Sequence, residues 1–242
     1  MTDPAHPGSS PAPSLDRRFL VFLGPLVLTN MLQALTGTVN HIYVGRLLGA
    51  GSLAAVASFM PLFFLLSAFI MGLGNGASIL VGQAFGARNP ARLHAVAGTT
   101  LCAGLLLGLV LAALGVVAVQ PLMRLLGTLA DVLPQAVAYA RGMMVLFPVL
   151  FTSMLTAALL RGTGDTVTPL RALGVSLSVT VVCAPPFIQG VPAIGLPALG
   201  ILGGVAALLL ATLCSLGYTA WHLRRRAHVL APTRALLAQV RL

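Results

Sequence analysis

The chain has 242 residues, 58% of them hydrophobic and only 7% charged, with a mean hydropathy of +0.99. A soluble domain carries about 25% charged residues to keep its surface wet, so a soluble enzyme, a disordered chain and a disulfide scaffold are excluded. The formal charge of +10 comes from fourteen Arg against four Asp, with no Lys, and these cations sit in small groups between apolar runs. Nucleic acid is therefore excluded as a partner, because it needs the basic residues on one wet face. The lipid bilayer is the expected surroundings: the composition is that of an all-α, multi-pass membrane protein.

Residues 1–18 are polar and rich in Pro and Ser, and read as a disordered tail. No small-residue cleavage site follows a short apolar core, so this is not a secretory signal. Six apolar runs then follow at about 19–44, 53–80, 95–120, 137–160, 171–190 and 198–222, and a span needs about 20 such residues. Two stretches without Asp, Glu, Lys or Arg need dividing. Leu47–Ala87 is too long for one upright helix, so a turn is placed near Gly49 and Gly51 before a long or tilted second span. Ala172–Leu223 is two spans, hinged between Pro185-Pro186 and Pro197, because proline ends or kinks a helix.

With six spans both termini share one side of the membrane. That side owns Arg17, Arg18, Arg88, Arg92, Arg161, Arg171, Arg224, Arg225, Arg226, Arg234 and Arg241; the other owns Arg46, Arg124 and Arg141. Positive loops stay cytoplasmic, so both termini are expected in the cytoplasm. Asn89-Pro90 and Thr168-Pro169 each pair a capping residue with proline and are expected to start the third and fifth helices. Gly72/Gly76, Gly104/Gly108 and Gly200/Gly204 have the spacing that lets helix backbones approach closely in lipid. Cys102, Cys183 and Cys214 lie in apolar stretches and read as small buried hydrophobes.

None of the four acids, Asp3, Asp16, Asp131 and Asp165, falls within a span. Intramembrane carboxylates are the usual carriers of protons and sodium, so carboxylate coupling at mid-membrane has no residue here. Neutral polar groups do enter the spans. Asn30, Gln33, Thr36 and Asn40 recur at steps of three and four along one face of the first helix. They line either a wet cavity or a hydrogen-bonded contact with another helix. His41, near the outer end of that helix, reads as an interfacial histidine; Asn75 and Gln83 lie on the second. No paired carboxylates, no HExxH and no Cys/His cluster occurs, so catalytic residues and metal ligands are absent, and the chain is not an enzyme.

Leu160-Arg161-Gly162-Thr163-Gly164-Asp165-Thr166-Val167-Thr168-Pro169 resembles the LRGxGDTxTP signature of the multidrug and toxic compound extrusion (MATE) family. Val44-Gly45-Arg46-Leu47 with Leu53-Ala54-Ala55-Val56 is similar to that family's VGRLG…LAAV. Gly82-Gln83-Ala84-Phe85-Gly86-Ala87 resembles its xQxxGA end of helix two, and Leu199-Gly200-Ile201-Leu202-Gly203-Gly204 its LGIxGA opening of helix six. The matches cover roughly residues 19–228 and fall in the family's order. The resemblance implies a six-helix transmembrane lobe over 19–228, the N-terminal half of a twelve-helix bacterial inner-membrane antiporter. Such a protein exports small organic cations or amphipathic compounds in exchange for H+ or Na+, with no other cofactor.

Residues 229–242 then read as the start of a linker to a second lobe. The partner implied is that missing C-terminal lobe or a second copy of the chain. The alternative reading is a truncated or half-size membrane protein that transports nothing, or works only as a dimer. The family's cation-site positions hold Asn40, Thr180 and Ala184 here. None is a carboxylate, and an amide neither releases a proton nor offers sodium a charge.

Overall fold

The computed structural model describes residues 15–190 and 197–225, with side chains from residue 23 onward. Six helices follow in order: α1 (Leu15–Leu48), α2 (Ala50–Gly86), α3 (Pro90–Leu125), α4 (Leu133–Gly162), α5 (Val167–Gln189) and α6 (Ile201–Arg225). No strand occurs among the described residues. Leu15–Arg18, read from composition as tail, instead form the start of α1. Residues 1–14, the 191–196 segment and the expected linker at 229–242 lie outside the described residues.

Five helices, α2 to α6, are long and apolar enough to cross a membrane. By length and composition these are the helices of a multi-pass bundle. Helix α1 is long enough, but Asn30, Gln33, Thr36, Asn40 and His41 make it the most polar of the six. The 37 residues of α2 extend about 55 Å at 1.5 Å per residue. That exceeds the roughly 30 Å of a hydrocarbon core, so α2 tilts or projects beyond it.

Helix α4 is the axle of the bundle, packed against α2, α3, α5 and α6. It buries Tyr139, Met143, Met144, Phe147, Phe151 and Leu155 along its length. Phe147 stacks edge-on with Phe151, ring centres 4.9 Å apart, and meets Phe59 and Phe63 of α2 at 6.4 and 6.1 Å. A second apolar cluster (Ala77, Val81, Leu93, Ala97, Leu159, Leu160, Leu223) closes the end of the bundle where α4 meets α5. Helix α3 packs on α4 and α2 and turns Leu105, Leu106, Leu109, Val110, Leu114 and Val117 outward. Such a stripe is a liability in water and ordinary against lipid.

The glycine pairs divide. Gly104 and Gly108 sit against α4: a methyl on Gly108 would stand 2.8 Å from the Cα of Pro148, and one on Gly104 would overlap Leu155. Gly72 and Gly76, expected to pack, face open surface, with no atom within 4 Å of where a Cβ would stand. Gly200 has φ +54 and turns the chain into α6, so only Gly204 of its pair meets another helix.

The connections are tight. Gly49 alone separates α1 from α2, at φ +85, a backbone shape that glycine adopts without penalty. Asn89 caps α3 as expected, its side chain accepting from the Arg92 amide at 3.0 Å with Pro90 at the first position. Between Pro185-Pro186 and Pro197, where the chain is expected to divide, α5 runs through both prolines and ends at Gln189. Proline at 185 leaves the Val181 carbonyl without its helical donor, and the Tyr43 hydroxyl of α1 donates to that oxygen at 3.4 Å. An outside donor of this kind is how lipid-embedded helices tolerate proline.

Candidate functional site

A cavity of about 350 Å³ lies in the half of the bundle near the α4–α5 turn, among α1, α2, α4, α5 and α6. Helix α4 presents one face to it, Ser153, Met154, Thr156, Ala157, Ala158, Leu160 and Arg161, at the spacing of a helical stripe. Helix α6 adds Ser215 and Thr219, and α5 adds Pro169, Ala172 and Leu173. The wall on α4, α5 and α6 is buried or half-buried, whereas Asn30, Gln33, Met71 and Asn75 on α1 and α2 are exposed. The mouth therefore lies between α1 and α2, which pack only lightly on each other.

The hydroxyls are largely committed. Thr29, Thr156 and Thr219 donate to the carbonyls of Pro25, Thr152 and Ser215 in their own helices, at 2.6, 2.7 and 2.9 Å. Among the described residues, the amides of Asn30, Gln33 and Asn75 and the guanidinium of Arg161 have no such partner.

Of the residues singled out from sequence, the structure brings Asn30, Gln33 and Asn75 together on this cavity with Arg161 and Pro169. It leaves Thr36, Asn40, His41 and Thr180 outside. Thr36 faces the same side of α1 but lies further along it, where its hydroxyl bonds the Leu32 carbonyl at 2.8 Å. Asn40 is two turns beyond Gln33, about 10 Å along the axis, and points its Oδ1 at α6, where a Cβ on Gly204 would stand 3.4 Å away. That Oδ1 is buried with no donor among the described residues. His41 lies at the opposite end of the bundle in a shallow groove with Thr38, Gly45 and Arg46. Thr180 is buried in α5 and bonds the Ser176 carbonyl at 2.9 Å, and Ala184 is fully buried beside Ile188 and Ala207. Ser153, Thr156, Ser215 and Thr219 were missed; the three-residue step from Ser153 to Thr156, a turn before Arg161, was the available signal.

The remaining motif residues build turns. Gly162 passes so close to α2 that a Cβ there would meet the Ser78 carbonyl oxygen at 2.6 Å, and Gly82 faces the Gly162 carbonyl in return. Gly164, at φ +84, reverses the chain. Asp165 then accepts from the amides of Val167 and Thr168 at 3.2 and 2.9 Å and from the Thr168 hydroxyl at 2.5 Å. This corrects the start of α5: the cap is the Asp165 carboxylate, not Thr168, because a charged acceptor satisfies the free amides better and suits the positive helix end. Gln83 and Gly86 lie in the last turn of α2, away from the cavity. Asp165→Ala is expected to lower stability by about 1 kcal/mol, and Asp165→Asn by much less, since Asn caps nearly as well. Thermal melting of the detergent-solubilised variants checks the pair.

The MatE family model matches residues 25–185. The chain belongs to the MatE family. This MatE chain is 43% identical over 218 residues to the probable multidrug resistance protein YoeA of Bacillus subtilis (strain 168), covering 90% of itself and 47% of that protein. It is 29% identical to a FAD transporter of Shewanella oneidensis, over 72% of its own length and 38% of the relative's. A crystal structure of a MATE protein in the bent conformation superposes with a TM-score of 0.75 at 26% identity, covering 88% of this chain and 48% of that one. The MatE chain thus spans about half the length of the relatives it matches. Members of this family are transporters and not enzymes.

Proposed function

We propose that the chain supplies one six-helix half of an export transporter for small amphipathic compounds, working by alternating access in a bacterial inner membrane. The observation that carries this is the cavity itself: five helices surround it, and its mouth opens between two that pack only lightly together. A second half or second copy placed against α1 and α2 would close that mouth, and rocking of one half on the other would open it. Both termini lie in the cytoplasm in this reading, because the Arg-rich connections share one end of the bundle.

The related proteins' names span multidrug resistance and FAD transport, so the cargo is set by the site and not by the family. Export of organic cations, as the resemblance implies, has no uncommitted carboxylate to draw on in the described spans, since Asp165 caps α5. Exchange for H+ or Na+ likewise falls to groups other than Asn40, Thr180 and Ala184.

The test is efflux from an efflux-deficient bacterium expressing the chain alone or with a second six-helix half, using cationic and anionic dyes. Lower dye retention on expression supports the reading. Retention unchanged for every dye in both arms overturns it and favours a half that does not transport.

A further inference from the structure

The proposed solute cavity has an unusual charge: among the described residues, Arg161 is the only ionisable side chain on its wall. Its polar neighbours there are amides and hydroxyls. Three hydroxyls already donate to helix carbonyls, while the Asn30, Gln33 and Asn75 amides have no partner among the described residues. The nearest acid in sequence, Asp165, accepts three bonds at the start of α5, and no carboxylate of the described residues lines the cavity. A half-buried cation with no counter-ion among the described residues is costly in a low-dielectric wall, and a solute oxyanion would relieve that cost. A guanidinium offers a planar fork of N–H donors that fits a carboxylate, sulfonate or phosphate by two parallel bonds.

We propose that this cavity binds the anionic group of an amphipathic solute, with Arg161 pairing the oxyanion and the Asn75 and Gln33 amides bonding its remaining oxygens. The apolar part of such a solute lies against Met71, Met154 and Leu173. The inference rests on the cavity being the solute site, but it concerns charge selection and stands or falls by binding alone.

The experiment uses the full chain in nanodiscs of neutral lipid and two probes with the same fluorophore, dansylglycine (a carboxylate) and dansylcadaverine (an ammonium). Empty nanodiscs supply the partition background. Dansylglycine is expected to bind more tightly than dansylcadaverine, and Arg161→Gln is expected to weaken it about tenfold or more with no loss for dansylcadaverine. Asn75→Asp, which leaves Arg161 and the α4–α5 turn intact, is expected to abolish the preference, because the new carboxylate pairs with the guanidinium. The proposal is overturned if dansylcadaverine binds better to the wild type, if Arg161→Gln weakens both probes alike, if Asn75→Asp leaves the preference unchanged, or if neither probe binds above background. Binding that survives in a chain unable to export would sink the transport reading and leave this one standing.

Discussion

Gly203→Ala is expected to cost at least about 3 kcal/mol, the upper end of what overpacking does, and to leave little monodisperse protein after mild heating in detergent. The Cβ it adds would overlap the Phe187 carbonyl oxygen and stand 2.5 Å from its carbon and 2.7 Å from the Ile188 nitrogen. All three are backbone atoms, so no side chain can swing aside. They also belong to the corner where Leu199 and Gly200 donate to the Phe187 and Ile188 carbonyls at 3.2 and 3.1 Å, so a shift there pulls on the start of α6. Gly162→Ala is expected to act the same way against Ser78. Gly72→Ala and Gly217→Ala are the controls: nothing lies within 4 Å of either new methyl, and removing a helical glycine gains about 0.5–1 kcal/mol. Equal melting temperatures for Gly203→Ala and Gly217→Ala would refute the close approach of α5 and α6.

Phe147→Ala is the second large effect, with an expected loss of about 3 kcal/mol. In water, truncating a buried Phe costs about 3–5 kcal/mol, part of it transfer and part the void left behind. Lipid is as apolar as the core, so the transfer part shrinks and the lower end applies. What remains is the void and the ring contacts, which are dense: Phe147 is 1% exposed and touches Phe59, Phe63 and Phe151. Phe59 in turn meets Tyr139 edge-on at 5.7 Å, so the void opens at the α2–α4 seam. Phe64→Ala and Phe69→Ala, on residues 66% and 65% exposed, are expected to change the melting temperature little. A Phe147 variant as stable as these two would show that α4 is not the axle of the bundle.

Much of the fold is legible in the sequence because lipid imposes a coarse rule. Each run of some twenty apolar residues becomes a helix, and Asn89-Pro90 states where α3 begins. What the sequence hides is set by tertiary partners. The fifth apolar run extends through Pro185-Pro186 to about residue 190, but nothing local says what lets a helix pass them: Tyr43, 138 residues away in sequence, offers a donor to the carbonyl that the proline abandons. Thr168-Pro169 reads as a cap, yet Asp165 three residues earlier takes the amides first.

The site shows the same division. The polar stripe on α1 is visible as Asn30, Gln33, Thr36 and Asn40, because helical spacing reports the face. Spacing does not report depth. The cavity occupies only the half of the bundle near the α4–α5 turn, so Asn30 and Gln33 reach it while Thr36 and Asn40 meet their own helix and α6. Arg161 is visible as a motif residue, but its place on the cavity wall follows from α4 running through the middle of the bundle, which no local pattern encodes.

The transport reading requires a multi-pass bundle whose Arg-rich end, with the cavity nearby, faces the cytoplasm. Single cysteines at Ala87→Cys, between α2 and α3, and Ala130→Cys, between α3 and α4, test this in a background where Cys102, Cys183 and Cys214 are replaced by alanine. Both positions are exposed at opposite ends of α3. A membrane-impermeant maleimide applied to intact cells should label position 130 at once and position 87 only after permeabilisation. Labelling of both from the same side, or of position 87 alone from outside, would contradict that orientation.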